Sequence, residues 1–342
     1  MHKIERCDMS KPFLSVCIPS FNRPDELLRL LKTVDSNPED TQIVVCEDHA
    51  PRRLEVRARV EEFTKESRYE VKYIENEINK GYDWNVRDFI LHADGEYIVY
   101  CDDDSCFVPN ALDKLIAFLK DHRDLGYVLR RSRSYTGDDM RYFPGTKFFD
   151  PGVETYQMLY RKSVIVAGFT FKREFAVATM TDQFDGTLLY QLYILAEICL
   201  HHPSAYFDEP ITEKVPSNTE FYFGMSEKEK GLYEPKKVSV RNSMNFVVSF
   251  MRITKFIDEK YNLNSTAYVK HDIAKYSYPI LAFLMRKSRW EMLKGAREMI
   301  GQGLGCSMYF YMYVLGLLFF GTRNCDKLIV RMKKALGHTP RL

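Results

Sequence analysis

The first 130 residues constrain the fold most: four short β-branched runs, Phe13–Ile18, Gln42–Cys46, Val71–Ile74 and Tyr97–Cys101, alternate with segments of helical periodicity. Leu27, Leu28, Leu31 and Val34 recur on one helical face behind Pro24 and Asp25, which open the helix. Weaker helical patterns cover 53–66 and 84–93, and a stronger one (Leu112, Leu115, Ile116, Leu119) follows Pro109. Strands that alternate with helices can lie parallel only through crossover connections, so the pattern predicts a mostly parallel, helix-flanked α/β sheet. In such a sheet the ligand crevice lies at the carboxyl ends of the strands.

Beyond that segment the reading is coarser. Residues 132–152 lose the pattern, 164–171 reads as a strand, about 186–200 as a long helix, and 216–235 as a mobile loop near a site or a linker. From Lys236 the chain reads as helical to its end. A hydrophobic fraction of 45% with 28% charged residues excludes wholesale disorder. The net charge of +2 hides an asymmetry, because residues 286–342 hold eleven basic against three acidic side chains. An acidic body with a basic tail argues against a nucleic-acid binder and for a tail that meets an anionic surface. The eight cysteines include no C-x-x-C pair, and Met1–Pro12 lacks an apolar leader core, so the expected compartment is the cytoplasm.

Each predicted strand ends in polar residues. Pro19-Ser20-Phe21-Asn22-Arg23 comes after the first, Glu47-Asp48-His49 after the second, Asn79-Lys80-Gly81 with Asn85 after the third, and Asp102-Asp103-Asp104 after the fourth. One acidic turn is explained by helix capping; four in succession at carboxyl ends are not. Clustered carboxylates repel unless they share a cation. Asp102 and Asp104, two apart on an extended segment, can face one side and offer hard oxygens to Mg²⁺ or Mn²⁺.

The ordered set Leu14–Arg23, Val44–Asp48, Asn79–Gly81, Asp94–Ile98 and Asp102–Asp104 resembles family 2 glycosyltransferases of the GT-A fold, a Rossmann-like nucleotide-diphospho-sugar transferase. The Asn79–Asn85 spacing and Asp182-Gln183-Phe184-Asp185-Gly186 resemble a bacterial subgroup typified by the abequosyltransferases of O-antigen synthesis. The resemblance implies nucleotide contacts from Pro19, Ser20, Phe21, Asn22 and Arg23, from Glu47 at the acidic position facing base or ribose, and from Asp48. It extends them to Asn79, Lys80, Gly81, Asn85, Asp102 and Asp103, with metal ligation by Asp102 and Asp104. Glu47 stands where Asp is commoner and His49-Ala50 where Gly-Ser is usual. An inverting transfer also needs a base for the acceptor hydroxyl. The family places it in an acidic pair followed by Leu three positions on and a basic residue three further. Asp185 has Leu188 and Gln191 at those offsets, with Phe184 where the first acid is expected, and Asp182 is its rival; either could instead cap the helix that starts near 186. The resemblance further implies Mn²⁺ or Mg²⁺ and a nucleotide-sugar donor. It implies a glycan or lipid-linked glycan acceptor of O-antigen or capsule assembly, at the inner face of a bacterial cytoplasmic membrane.

These readings place a GT-A catalytic domain at 1–235 and a helical region at 236–342. Met299–Thr322 carries no charge, but only Met308–Phe320 is strongly apolar. Thirteen helical residues reach about 20 Å, against a hydrocarbon core of about 30 Å. Tyr309, Tyr311 and Tyr313 suit the headgroup boundary. Basic residues flank the segment: Arg286, Lys287, Arg289, Lys294 and Arg297 before it, Arg323, Lys327, Arg331, Lys333 and Lys334 after it. Together they predict an interfacial anchor rather than a span. A buried helix or a dimer contact is the plainer alternative. Two other classes fit less well. A nucleotidyltransferase lacks its Gly-rich, Arg-containing loop here, and a non-catalytic sugar-nucleotide scaffold would not need the Asp102/Asp104 pair. Gly301–Gly305, Arg286–Trp290 and His201-His202 read as local structure. Arg130, Arg131 and Arg133 could clamp phosphate or form a solvated turn.

Overall fold

The computed structural model describes residues 11–133, 139–215, 222–236 and 239–336. Parts of the 132–152 and 216–235 stretches, and the residues at Met1–Ser10, therefore lie outside the described residues.

The chain runs β1 (Leu14–Ser20), α1 (Pro24–Leu31), β2 (Thr41–Glu47), α2 (Arg53–Glu66), β3 (Glu70–Glu75), α3 (Tyr82–His92), β4 (Tyr97–Tyr100), β5 (Ser105–Phe107) and α4 (Ala111–Asp121). It continues through β6 (Tyr127–Arg133), the short β7 (Asp139–Met140) and β8 (Lys147–Phe149), α5 (Val153–Tyr160), β9 (Phe169–Lys172), α6 (Arg173–Ala178), α7 (Tyr190–His201) and β10 (Ser204–Lys214). The later chain is helical: α8 (Val240–Tyr261), α9 (Ser265–Lys275), α10 (Tyr278–Lys287), α11 (Arg289–Gly301) and α12 (Met308–Leu336).

One sheet organises the first two thirds, in the order β3-β2-β1-β4-β9-β6-β10-β5. The half formed by β3, β2, β1 and β4 is parallel, as the strand–helix alternation requires. Beyond β4 the sheet is mixed, because β9 runs antiparallel to both β4 and β6 while β6 and β10 are parallel. The predicted strand at 164–171 is thus shorter and later than its β-branched run suggests. Val164–Val166 instead precede it as irregular chain.

Apolar side chains cover both faces of the sheet. Val16, Ile18, Ile43 and Val45 face α1 and α4, whereas Cys17, Val44, Ile98 and Tyr100 face α3 and α7. That second core continues into α8–α11 through Val247, Ile253, Ile257, Leu281 and Leu284, which fastens the helical region to the sheet. Cys17, Cys46 and Cys101 are fully buried free thiols, in keeping with their apolar neighbours. Arg130 and Arg131 belong to β6 rather than to a turn. Arg130 is fully buried and donates from Nε to the Ala167 carbonyl (2.7 Å) and from Nη2 to that of Ile165 (3.0 Å), so it fastens β6 to the chain that precedes β9 rather than standing in a solvated turn; its Nη1 is buried without a hydrogen-bond partner.

The tail is amphipathic. α12 is broken at Gly321, where φ is +69°, so its apolar first half ends after Phe320. No described helix is long and apolar enough to cross a membrane. Phe310 and Leu317 are buried, whereas Met308, Met312, Leu315 and Phe319 form an exposed stripe at helical spacing. Tyr309 and Tyr311 are exposed, but Tyr313 turns inward and donates to the Lys275 carbonyl (3.0 Å), which corrects its expected interfacial place.

Candidate active site

The carboxyl ends of β1, β2 and β4 open into a cavity of about 590 Å³. Pro19, Ser20, Phe21 and Arg23 contribute from the first turn, Asp48 from the second, Asn79, Gly81 and Asn85 from the third, and Asp102 and Asp103 from the fourth. Ten of the sequence-predicted positions thus converge on one space, at the sheet end where an α/β fold binds its ligand. Asn22, Glu47, Lys80, Asp104, Asp182 and Asp185 are not among its lining residues.

The turns are held by side chains that act on backbone. Asp48 accepts hydrogen bonds from the amides of Lys80 (2.9 Å) and Gly81 (2.7 Å) and from Asn76 Nδ2 (2.9 Å). Glu229, far along the chain, accepts from Tyr82 N (3.0 Å) at the start of α3 and from Gly224 N (2.8 Å). The bond to Tyr82 N satisfies an amide donor that the start of α3 leaves open. Gly81 has φ +96°, and a Cβ there would fall 2.5 Å from Ser226 Oγ and 2.8 Å from Glu229 Oε1. Only glycine lets the 222–233 segment close over this turn. Tyr222 then packs against Phe21 with ring centroids 5.6 Å apart.

Glu47 is not on the wall. It is fully buried and accepts from Ala50 N (2.8 Å), and burial pushes its carboxyl up to about 8. Its Oε2 is buried without a hydrogen-bond partner, and its neighbour Asp48 is the acid that lines the cavity. Asn22 uses its side-chain oxygen to accept from Arg52 N (3.1 Å), and the Lys80 ammonium lies over the Trp84 ring at 4.3 Å.

The acidic turn after β4 has divided roles. Arg23 Nη1 lies 2.7 Å from Asp103 Oδ1, so the middle aspartate is already paired. Asp102 Oδ1 and Asp104 Oδ1 are both buried and lack any hydrogen-bond partner. Burial and, second, the neighbouring Asp104 push the Asp102 carboxyl up to about 7. Two orphaned carboxylate oxygens beside a cavity are a poor structural solution and a good donor set for a hard divalent cation. The residues present fit such an ion.

Neither candidate base lies on the wall. Asp182 is exposed, and Asp185 is engaged by both guanidinium nitrogens of Arg87, with Nη2–Oδ2 at 3.0 Å. The next few residues do line the cavity, through Leu188, Leu189 and Gln191, joined there by Val164, Val166 and Phe246. Asp83 sets this segment. Buried in α3, it accepts from Leu188 N (2.9 Å) and Tyr190 N (3.0 Å), which stabilises the left-handed Leu188 (φ +59°). Sequence reasoning did not find Asp83, Arg87, Gln191 or Glu229 as site residues, because their partners lie about a hundred or more residues away.

Burial pushes Asp83 up to about 7 as well. The folded chain therefore keeps protons on Glu47 and Asp83 that the unfolded chain loses near pH 4. Stability accordingly falls as pH rises from about 4 to about 8, because the folded state binds more protons in that window. Melting temperatures at about pH 5 and about pH 8 test this; Glu47→Gln flattens the slope, and a rising profile would contradict it.

The fold is that of a GT-A glycosyltransferase. Residues 15–177, just under half of the chain, match the model of Glycosyl transferase family 2. An "Uncharacterized glycosyltransferase" of Haemophilus influenzae is 22% identical over 116 residues, which are 34% of this chain and 37% of that protein. Among solved structures, S. aureus TarS 1–349 in complex with UDP-GlcNAc superposes with a TM-score of 0.53 at 15% identity, covering 95% of this chain and 92% of that one. A longer TarS chain gives 0.52 at 15% identity over 78% of this chain, which spans only 43% of its length. The mannosyltransferase PcManGT of Pyrobaculum calidifontis, in complex with GDP-Man and Mn²⁺, gives 0.53 at 14% identity, covering 93% and 84%.

Proposed function

We propose that this chain moves one glycosyl unit from a nucleoside-diphosphate sugar to an acceptor hydroxyl, with inversion and with a divalent metal. The pair of buried, unpartnered oxygens on Asp102 and Asp104 carries the reading. On it, Asp102 and Asp104 hold Mn²⁺ or Mg²⁺, which when bound offsets the charge of the departing nucleoside diphosphate. Arg23 holds Asp103 and keeps the acidic turn in shape. Phe21, Asp48, Asn79 and Asn85 bound the nucleoside end, and Asn85 Oδ1 is a buried acceptor without a partner there. Asp185, at the family's offset from Leu188, takes the acceptor proton once its pairing with Arg87 opens, in line with catalytic contacts that form only in the loaded complex. The donors bound in the TarS and PcManGT complexes, UDP-GlcNAc and GDP-Man, support the donor class.

In the same reading 1–235 is the catalytic domain and 236–342 the helical region that meets the membrane. Its acceptor is a lipid-linked glycan of surface-polysaccharide assembly. The exposed Met308–Phe319 stripe, Trp290 (80% exposed), and the exposed Arg289, Lys294, Arg297, Arg323, Lys327 and Arg331 support an interfacial anchor on anionic lipid. The Lys333 and Lys334 side chains lie outside the described residues.

The experiment is cosedimentation with anionic and neutral vesicles at low and high salt, using the chain and its Met308→Glu/Phe319→Glu variant. The reading expects anionic pelleting that salt weakens and the double variant abolishes. Equal pelleting of both proteins, or none with anionic vesicles, would contradict it. A variant that merely changes a dimer to a monomer would assign the stripe to a second copy instead.

A further inference from the structure

A second group of metal-ligand side chains comes together away from the Asp102/Asp104 pair. Cys46 on β2 and Asp88 and His92 on α3 each offer one ligand atom, all within 4.8 Å of one another. Asp88 and His92 are one turn apart and share a helix face. Asn85, a turn earlier, bonds the Cys46 carbonyl (2.9 Å) and keeps that face against β2.

The local electrostatics are incomplete without a cation. Asp88 sits in the last turns of α3, where the helix end is already negative. Its Oδ2 is buried with no hydrogen-bond partner, and the thiol beside it supplies no positive charge. Lys72 bonds the His92 carbonyl (3.3 Å) but its ammonium is paired with Asp94. Among the described residues, the group paired with Asp88 is the His92 ring, whose Nδ1 is 3.4 Å from Asp88 Oδ1 and 2.9 Å from the Asp88 carbonyl.

We propose that Cys46, Asp88 and His92 form a zinc site distinct from the candidate active-site metal. A thiolate, an imidazole and a carboxylate are the donors Zn²⁺ takes, and Mg²⁺ and Mn²⁺ disfavour the sulfur. Tetrahedral zinc at about 2.3 Å from sulfur and about 2.0–2.1 Å from nitrogen or oxygen sets its ligands about 3.3–3.6 Å apart. The exposed His92 ring reaches that spacing by rotation, and water completes the fourth position. On binding, the Cys46 S–H bond breaks, its proton passes to solvent and the sulfur lone pair forms the S–Zn bond. The ion ties β2 to α3 one residue before Glu47-Asp48, beneath the wall that Asp48 and Asn85 share. The proposal stands apart from the glycosyl-transfer reading.

Titration of the metal-free full chain with Co²⁺, a spectroscopic stand-in for Zn²⁺, tests it. The wild-type protein and Asp104→Asn are expected to show a near-ultraviolet thiolate-to-cobalt charge-transfer band saturating at one equivalent and displaced by Zn²⁺. The band disappears in Cys46→Ser, and affinity falls roughly tenfold or more in His92→Ala, whose exposed side chain is dispensable for folding. No band in the wild type, a band that survives Cys46→Ser, or unchanged affinity in His92→Ala overturns the site. The last result leaves Asp88 and His92 as a simple ion pair. Loss of the band in Asp104→Asn would overturn its independence from the active-site metal.

Discussion

Asp104→Asn is expected to remove metal-dependent donor binding and to lower turnover on the order of 10²–10³-fold while the fold stays intact, because a cation held by Asp102 and Asp104 would contribute several kcal/mol to stabilising the departing charge. The substitution keeps the shape of the side chain and removes one negative charge from a turn holding three aspartates, where Arg23 lies 2.7 Å from Asp103 and Arg23 and Lys214 lie 3.8 and 4.0 Å from Asp104 Oδ2. In the absence of metal the variant melts close to the wild type, since relief of like-charge repulsion with Asp102 offsets the loss of the long pairs to Arg23 and Lys214. Turnover with and without EDTA, beside melting curves, checks both halves. Full activity in the variant, or wild-type turnover in excess EDTA, contradicts metal ligation by this pair.

Asp185→Asn lowers turnover by roughly two to four orders of magnitude, the usual contribution of a general base, with donor affinity nearly unchanged. The Arg87 pairing supplies the control. If Asp185 acts only as the other half of an ion pair, Arg87→Gln breaks the same pair and gives a similar loss. If Asp185 takes the proton, Arg87→Gln is milder by at least about tenfold and the pH–rate profile shifts only in that variant. A mild Asp185→Asn with a severe Asp182→Asn transfers the role to Asp182.

The parallel half of the sheet was legible because β1, β2 and β4 are fully buried runs separated by one-faced helices, and periodicity reports that state directly. The antiparallel half was not. β6 reads Tyr127-Val128-Leu129-Arg130-Arg131-Ser132-Arg133, and its arginines look like a surface turn until Ala167 and Ile165 present carbonyls to Arg130 Nε and Nη2. β10 carries Pro210 within it, tolerated because the register with β6 is irregular there. The site shows the same division. Turns after strands announced themselves by polar residues out of keeping with simple connections. Glu229 reaches the cavity from a polar stretch holding Gly224 and Gly231, while Gln191 and Phe246 reach it from α7 and α8, whose positions depend on long-range packing. Of the two acids after β2, Asp48 lines the cavity, while Glu47 is buried with one oxygen unpartnered, a difference in burial that two adjacent acids in a sequence do not reveal.

The most direct measurement is thermal stability of the full chain with UDP, GDP, CDP and dTDP, each with and without Mn²⁺, in the wild type and in Asp104→Asn. A ligand at a hundred times its Kd stabilises the folded state by about 2.7 kcal/mol, well above detection. The account predicts that at least one nucleotide raises the wild-type melting temperature only when Mn²⁺ is present, and that the shift vanishes in Asp104→Asn. No shift with any nucleotide, or an equal shift in both proteins without metal, would contradict it.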